Sequence, residues 1–384
     1  MGGRKFQKLH GNFGKQVFSH EIRWKKICID QPYQLYRLMI GNIKRRTDLK
    51  NRLHNFLDIN ALSKKFDSID KMIEFENSIA HIIANLSFID LTIDRQIFPV
   101  IVLDGRPPDL KKKTLDERKR IRKNAMIERN KKDKLNYDYI KYDSKCVELR
   151  YNHYKDTIRF MQASGLPVIQ AKGEADSQCA ALTCESLVGK NNIIGTITED
   201  SDSLIFGGSC VIKGFTRKND GVNILKLSDI LIGTKDKINK IRENHGMIPI
   251  NHFTEANLVD LSILCGTDYN EPISGLDDIE QKLLELFGLN DLDVKKVMRK
   301  LYEIKENNNH LIIPKNFSED WEKVKEYYTN VVVIDPMTID TTIKKPNYIE
   351  LYKYLVDECC FKKTVVTRFY RGLVAMYTMY NKLL

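Results

Sequence analysis

The chain has 384 residues, of which 62 are Lys or Arg and 51 Asp or Glu; 42% are hydrophobic and the net charge is +11, with a pI near 9.0. This length admits two or three ordinary domains or one large one, and the balance excludes an acidic solvating chain and a collagenous or low-complexity one. The longest apolar runs, such as Phe98–Leu103, are strand-sized, far short of the roughly 20 residues of a membrane helix, and Met1 to Phe6 carries neither a secretory core nor a myristoylation signal.

Lys25 to Asp30 reads as a short buried strand ending in an acid, and Gln31 to Arg45 as the helix after it. Phe98 to Asp104 is a second such strand, broken by Gly105-Arg106-Pro107-Pro108. From Lys111 to Tyr154 the pattern is charged and helix-prone, without Gly or Pro. It has too few apolar residues to bury a face, so it is predicted to project from the body. Between Lys111 and Arg150 stand fifteen Lys or Arg against seven Asp or Glu, a charge that attracts phosphate backbones.

Leu166 to Ala171 is a third strand, and Gly173 introduces a helix from about Ala175. Ile193 to Thr198 is a fourth, running into Glu199-Asp200-Ser201-Asp202. Strands alternating with helices predict an α/β fold, a mainly parallel sheet flanked by helices. Ligands of such sheets sit at the carboxyl ends of the strands, where the acids are. The second half is more helical. Lys235 to His245 reads as a basic polar insertion. Asn257 to Leu264 and Ile279 to Phe287 are helices interrupted at Gly275, and Tyr348 to Leu355 and Val365 to Leu384 are terminal helices. The eight cysteines form no CxxC pair, which points to reduced thiols and leaves oxygen-ligand metal chemistry.

The acids that carry chemistry are Asp30, Asp104, Glu174, Asp176, Asp200, Asp202 and Asp268. Asp200 and Asp202, two apart on an extended strand end, point to one side. Glu174 and Asp176 converge only if Glu174 lies in the turn before the helix. So many carboxylates cannot all ionise in one place without cations. Mg²⁺ resolves this, taking a few carboxylate oxygens while keeping waters and substrate phosphates. Two such ions about 4 Å apart serve phosphodiester hydrolysis. Beside a strongly basic segment, the set points to metal-assisted cleavage of nucleic acid.

Five blocks occur in order: Ile29-Asp30 with Tyr36; Pro99 to Pro108 around Asp104; Gly173-Glu174-Ala175-Asp176 running to Leu182; Thr198-Glu199-Asp200-Ser201-Asp202 running to Gly207; and Leu258 to Tyr269 around Cys265-Gly266-Thr267-Asp268. With them the chain resembles the structure-specific 5′ nucleases of the xeroderma pigmentosum group G / Rad2-like superfamily, most closely the flap endonucleases. The resemblance covers nearly the whole chain. No long insertion separates the first two blocks from the next three, unlike the excision-repair branch.

The resemblance implies a PIN-like 5′ nuclease core with a helical arch and a helix-two-turn-helix. The regions would be an N-terminal nuclease region (1–105), a basic arch (106–150), an internal nuclease region (151–255) with a basic insertion (232–248), the helix-two-turn-helix (256–300) and a C-terminal helical region (301–384). Asp30, Asp104, Glu174 and Asp176 would surround one Mg²⁺, with Asp176 where the family commonly has Glu, and Asp200, Asp202 and Asp268 a second; Mn²⁺ is expected to substitute. Tyr36 would stack on a base near the scissile phosphate, and Lys111 and Arg118 would act from the arch on the 5′ strand and the transferred phosphate. Gly2 would lie near the site. Gly275 would belong to the turn that grips duplex phosphates with a bound K⁺.

Two departures stand out. Asp277, Asp278 and Glu280 are acidic where phosphate contacts are implied, and Lys235, Lys237, Lys240 and Arg242 are the proposed compensation. The sequence through Leu384 lacks the family's clamp motif, so sliding-clamp binding is not expected. The implied activity is a Mg²⁺-dependent 5′ flap endonuclease with 5′–3′ exonuclease activity in replication and repair. A 5′ exonuclease or Holliday-junction resolvase of the same superfamily, or a non-catalytic junction-binding scaffold, are the alternatives. The partner is DNA with a 5′ single-stranded flap or junction. A monomer is expected, inside the cell, in a nucleus or at a viral or cytoplasmic DNA replication site.

Overall fold

Strand β1 (Lys15–Phe18) precedes β2 (Lys26–Asp30), whose terminal carboxylate accepts the amide of Tyr33 and so opens helix α1 (Gln31–Arg45). In this computed structural model, residues 9, 13–45, 53, 55–132, 137–184 and 192–383 are described; Gly2 lies outside them. Helices α2 (Ile59–Lys65) and α3 (Ile69–Ser78) start at the caps Asp58 and Ser68. Helix α4 (Ala80–Asp94) is buried on nearly every side. Strand β3 (Phe98–Leu103) has all six residues buried, as a strand covered on both faces requires.

Helices α5 (Lys112–Asn130) and α6 (Tyr137–Asp143) follow, then α7 (Tyr151–Ala163). The charged, helix-prone stretch expected to project from the body is thus divided into helices. Helix α5 packs on α6 and α6 touches α1. Arg129 bonds Asp143 at 2.9 Å, Arg122 bonds Glu148 at 3.0 Å, and Ala125 is buried in the seam.

Strand β4 (Val168–Gln170), α8 (Ala175–Thr183), β5 (Ile193–Ile197), the short α9 (Asp202–Ile205), β6 (Cys210–Lys213) and β7 (Gly221–Lys226) complete the sheet half. The helical half comprises α10 (Leu227–Asn244), α11 (Glu255–Cys265), α12 (Ile279–Leu289), α13 (Val294–Asn307) and α14 (Phe317–Thr329). The chain closes with α15 (Tyr348–Tyr352), a π-helical turn (Lys353–Glu358) and α16 (Lys363–Leu383).

The expected basic insertion at 232–248 is instead mostly α10, an amphipathic helix packed on α12 through Ile230, Ile238 and Arg242. Arg242 is buried. It donates to the carbonyls of Ile248 and Gly288 at 2.6 Å each and pairs with Asp291. Lys237 donates to the Leu9 carbonyl at 2.7 Å. These two cations serve the fold, which corrects the idea that all four reach phosphates. Glu280 is likewise buried.

The seven strands run in the order β1-β7-β6-β5-β2-β3-β4. Ladders β2/β3, β2/β5, β3/β4 and β5/β6 are parallel, while β6/β7 and β1/β7 are antiparallel. The chain winds one way through β2, β3 and β4 and the other way through β5, β6 and β7. The crevice between β2 and β5 is thus the topological switch point. Alternation places Ile27 and Ile29 in the core under α4, α7 and α16, and Cys28, Val100 and Val102 in the layer under Ala175, Cys179 and Leu182 of α8. A further apolar cluster joins α10 to α14. No helix among the described residues is long and apolar enough to cross a membrane.

Candidate active site

The carboxyl ends of β2, β3 and β5 bring acids to the same end of the sheet. Asp30 is the last residue of β2. Its carboxylate accepts the Thr198 hydroxyl at 2.9 Å and the Tyr33 amide at 3.2 Å. Burial, with Asp104 nearby, lifts its pKa to about 7. Asp104 follows β3 and accepts the Ala175 amide at 2.8 Å and the Tyr154 hydroxyl at 3.4 Å; burial raises it too. Glu174 is the residue before α8 and Asp176 lies in its first turn.

Asp200 accepts the amides of Ser201 at 2.7 Å and Asp202 at 3.3 Å. Asp176 and Asp202 are both pushed well up, first by burial. Asp176 then feels Asp30, Asp200 and Asp202, and Asp202 feels Asp200 and Asp268. Six of the sequence-predicted acids, from β2, β3, the start of α8 and the turn after β5, together with Asp268 after α11, are thus one electrostatic group.

Two cations reach into it from the start of the basic segment. Lys111 is buried, bridging Glu174 and, at 3.4 Å, Asp268. Its ammonium lies 5.6 Å from the centre of the Tyr269 ring, whose hydroxyl donates to Glu174 at 2.5 Å. Arg118, two turns along α5, meets Asp268 at 2.5 Å. Burial works against ionisation of Asp268, yet Lys111 and Arg118 hold its carboxyl below the usual range. Thr114 donates to the Asp268 carbonyl at 2.6 Å, tying α5 to the same point. Glu174 and Asp268, assigned from sequence to different metals, thus share one ammonium.

The donor set is carboxylate oxygen throughout, which suits Mg²⁺ or Mn²⁺. Among the described residues no three or more His, Cys, Asp or Glu close on a single point. Asp176 Oδ1 and Asp202 Oδ1 are buried with no hydrogen-bond partner among the described residues. An unpartnered buried carboxylate oxygen is costly, and a divalent cation is the partner that fits this chemistry.

Tyr36 stands on α1, 40% exposed, with no hydrogen bond or ring contact among the described residues. It is not a core aromatic. Gly275 lies between α11 and α12 at φ +93°, where a Cβ would come within 1.7 Å of the His310 carbonyl oxygen. The flanking Ser274 exchanges two backbone hydrogen bonds with Ile312. The glycine is demanded by the backbone itself.

Several participants escaped the sequence reading. Thr198 and Tyr154 orient Asp30 and Asp104. Tyr327 and Tyr328 of α14 crowd the Tyr269 ring at 4.9 and 5.4 Å. Lys213, ending β6, is buried and donates to Ser201 at 2.7 Å. A Lys closing an apolar strand beside an acid-rich turn is the signal that could have found it.

Residues 165–268 match the XPG I-region family model. The chain is similar to flap endonuclease 1 of Tetrahymena thermophila, at 26% identity over 326 residues, 83% of this chain and 78% of that protein. Its fold matches the catalytic core of Rad2 in complex with DNA substrate, with TM-score 0.63 and 19% identity, covering 96% of this chain and 99% of that one. It also matches flap endonuclease-1 from Methanococcus jannaschii, with TM-score 0.60 and 19% identity, covering 97% and 98%. The XPG I-region match spans Glu174 to Asp268, and the fold shared with the Rad2 catalytic core continues on both sides of it.

Proposed function

We propose that the chain is a divalent-metal-dependent 5′ flap endonuclease with accompanying 5′–3′ exonuclease activity. The observation that carries the reading is the buried acid group at the β2/β5 crevice, with unpartnered oxygens on Asp176 and Asp202, met by Lys111 and Arg118 from the basic segment. Asp30, Asp104, Glu174 and Asp176 would hold one Mg²⁺, and Asp200, Asp202 and Asp268 the other. Bound there, such ions lower the pKa of a water and stabilise the leaving oxygen.

The chain's own residues supply the rest. Lys111 and Arg118 present positive charge where a transferred phosphate accumulates negative charge. With metals held by Glu174 and Asp268, both cations would be free to face the phosphate. Tyr36, exposed on the helix that Asp30 opens, offers a ring for a terminal base. Residues 106–150, with α5 and α6, would form the arch over the 5′ single strand. The α11–α12 connection around Gly275, with a K⁺, would meet the duplex, although Asp277 and Asp278 leave it poor in positive charge. The Rad2 neighbour is a complex with DNA substrate, which supports a DNA partner for this chain as well.

The test is end-labelled DNA in four forms: double flap, nicked duplex, bubble and four-way junction, each with Mg²⁺. The reading expects one dominant cut near the base of the flap and slower stepwise loss from the nick. Symmetric cutting of the four-way junction in preference to the flap would move the chain to the resolvase branch. Binding of every substrate with no cut in Mg²⁺ or Mn²⁺ would leave only a scaffold.

A further inference from the structure

Strand β6 reads Cys210-Val211-Ile212-Lys213, and all four residues are buried. A Lys at the end of such a strand normally turns its ammonium to water. Lys213 instead sends it inward, 2.7 Å from the Ser201 hydroxyl oxygen. The β5/β6 ladder ends at Ile197 and Ile212, so the turn from Thr198 to Asp202 lies beyond the sheet's own hydrogen bonds. What holds it from the β6 side is a pair of contacts: the Lys213 ammonium on Ser201, and the Gly214 amide on the Glu199 carboxylate at 2.7 Å. On the other side Thr198 reaches Asp30. Asp202 Oδ1, carried by this turn, is buried and without a hydrogen-bond partner among the described residues.

We infer that Lys213 is a positioning residue: seated on Ser201, it fixes the Thr198–Asp202 turn so that Asp200 and Asp202 present their carboxylates to a divalent cation. The inference rests on the metal-dependent nuclease reading and adds to it a buried cation that touches neither metal nor DNA. Two effects of this ammonium have opposite signs. As a tether it favours cation binding; as a nearby positive charge it opposes it. The sign of a measured change therefore separates positioning from mere charge.

The experiment measures Mn²⁺ binding to the DNA-free protein by electron paramagnetic resonance, alongside half-saturating Mg²⁺ and kcat for flap cleavage. The proteins are wild type, Lys213→Met, Lys213→Arg, Ser201→Ala and the Met/Ala double variant, with thermal melts checking that each folds. Positioning predicts about tenfold weaker Mn²⁺ binding in Lys213→Met, the size of one charged hydrogen bond. It predicts a similar shift in half-saturating Mg²⁺, kcat at saturating Mg²⁺ within a few-fold of wild type, and recovery in Lys213→Arg. Ser201→Ala keeps the charge and loses the tether, so it is expected to weaken Mn²⁺ binding too, and the double variant to be no worse than Lys213→Met. Unchanged or tighter Mn²⁺ binding in Lys213→Met, or an unaltered Ser201→Ala, overturns the inference while leaving the nuclease reading intact. A wild type that neither binds Mn²⁺ nor cuts DNA overturns both.

Discussion

Lys111 gathers two carboxylates that would otherwise repel: Glu174 and Asp268 are each more than nine-tenths buried. The ammonium stays charged because both acids face it, burial alone pulling the other way. Lys111→Met is therefore expected to act twice. Single-turnover cleavage of a flap falls about 100-fold or more, the usual effect of losing one charged stabiliser of a transition state. The protein also melts lower, since two buried acids lose their partner. Rapid-quench kinetics and a thermal melt read the two effects separately. Arg118→Ala is expected to cost less stability, because its side chain is nearly half exposed and water replaces it.

The remaining acids give a pH signature of the opposite kind. Asp30 is lifted to about 7, and Asp104, Asp176 and Asp202 are raised, burial being the first cause in each. An acid whose folded pKa exceeds its unfolded value binds more protons in the folded state. Its contribution to stability is present below the unfolded pKa and is lost as pH rises through the folded one. In EDTA the protein is accordingly expected to melt higher at pH 5 than at pH 8, with Asp268, held low, opposing this only at more acid pH. Mg²⁺ is expected to raise the melting temperature more at pH 8 than at pH 5, because it binds the ionised acids. Equal Mg²⁺ shifts at both pH values would contradict this picture of the cluster.

At the scale of elements, what was legible followed local pattern. Strand β2 and helix α1 fall where an apolar run closes on Asp30, and Glu174 falls in the turn before α8 because i, i+2 acids cannot share a helix face. What was missed depends on tertiary contact. The cations of α10 suggested an exposed insertion, but Ile230, Ile238 and Arg242 share its inward side, and only α12 shows that they are buried. Likewise β6 is four residues long and its Lys213 looks like surface until the acid-rich turn is placed beside it.

The pairs Arg129–Asp143 and Arg122–Glu148 tie α5 to α6 and to the segment after it. Arg129→Ala is expected to open this hairpin, seen as faster tryptic cutting between residues 130 and 145 with the rest of the chain intact. In the α11–α12 connection, Gly275→Ala would force a Cβ into the His310 carbonyl at a left-handed φ. A loss of about 1–3 kcal/mol is expected for a residue strained in this way, visible as a lower denaturant midpoint while Asp200-dependent chemistry at saturating DNA survives.

At the scale of the whole molecule, the switch point between β2 and β5 explains why residues as distant in sequence as Asp30 and Asp268 belong to one site. The parallel strands on either side aim their carboxyl ends at one crevice, and α5 brings basic charge to its mouth. With this basic charge and a net charge of +11, the proposed nuclease is expected to bind a flap with an affinity that falls steeply with salt. In the proposed nuclease the acid group acts through divalent cations. The most direct test is single-turnover cleavage of an end-labelled 5′ flap by wild type and Asp200→Asn, in Mg²⁺ and in EDTA, with binding measured in parallel. A cut near the flap base is expected only for wild type in Mg²⁺, with Asp200→Asn still binding the flap but cutting it at least 100-fold more slowly. Cleavage that persists in EDTA, or that Asp200→Asn leaves unchanged, would contradict this metal-dependent reading.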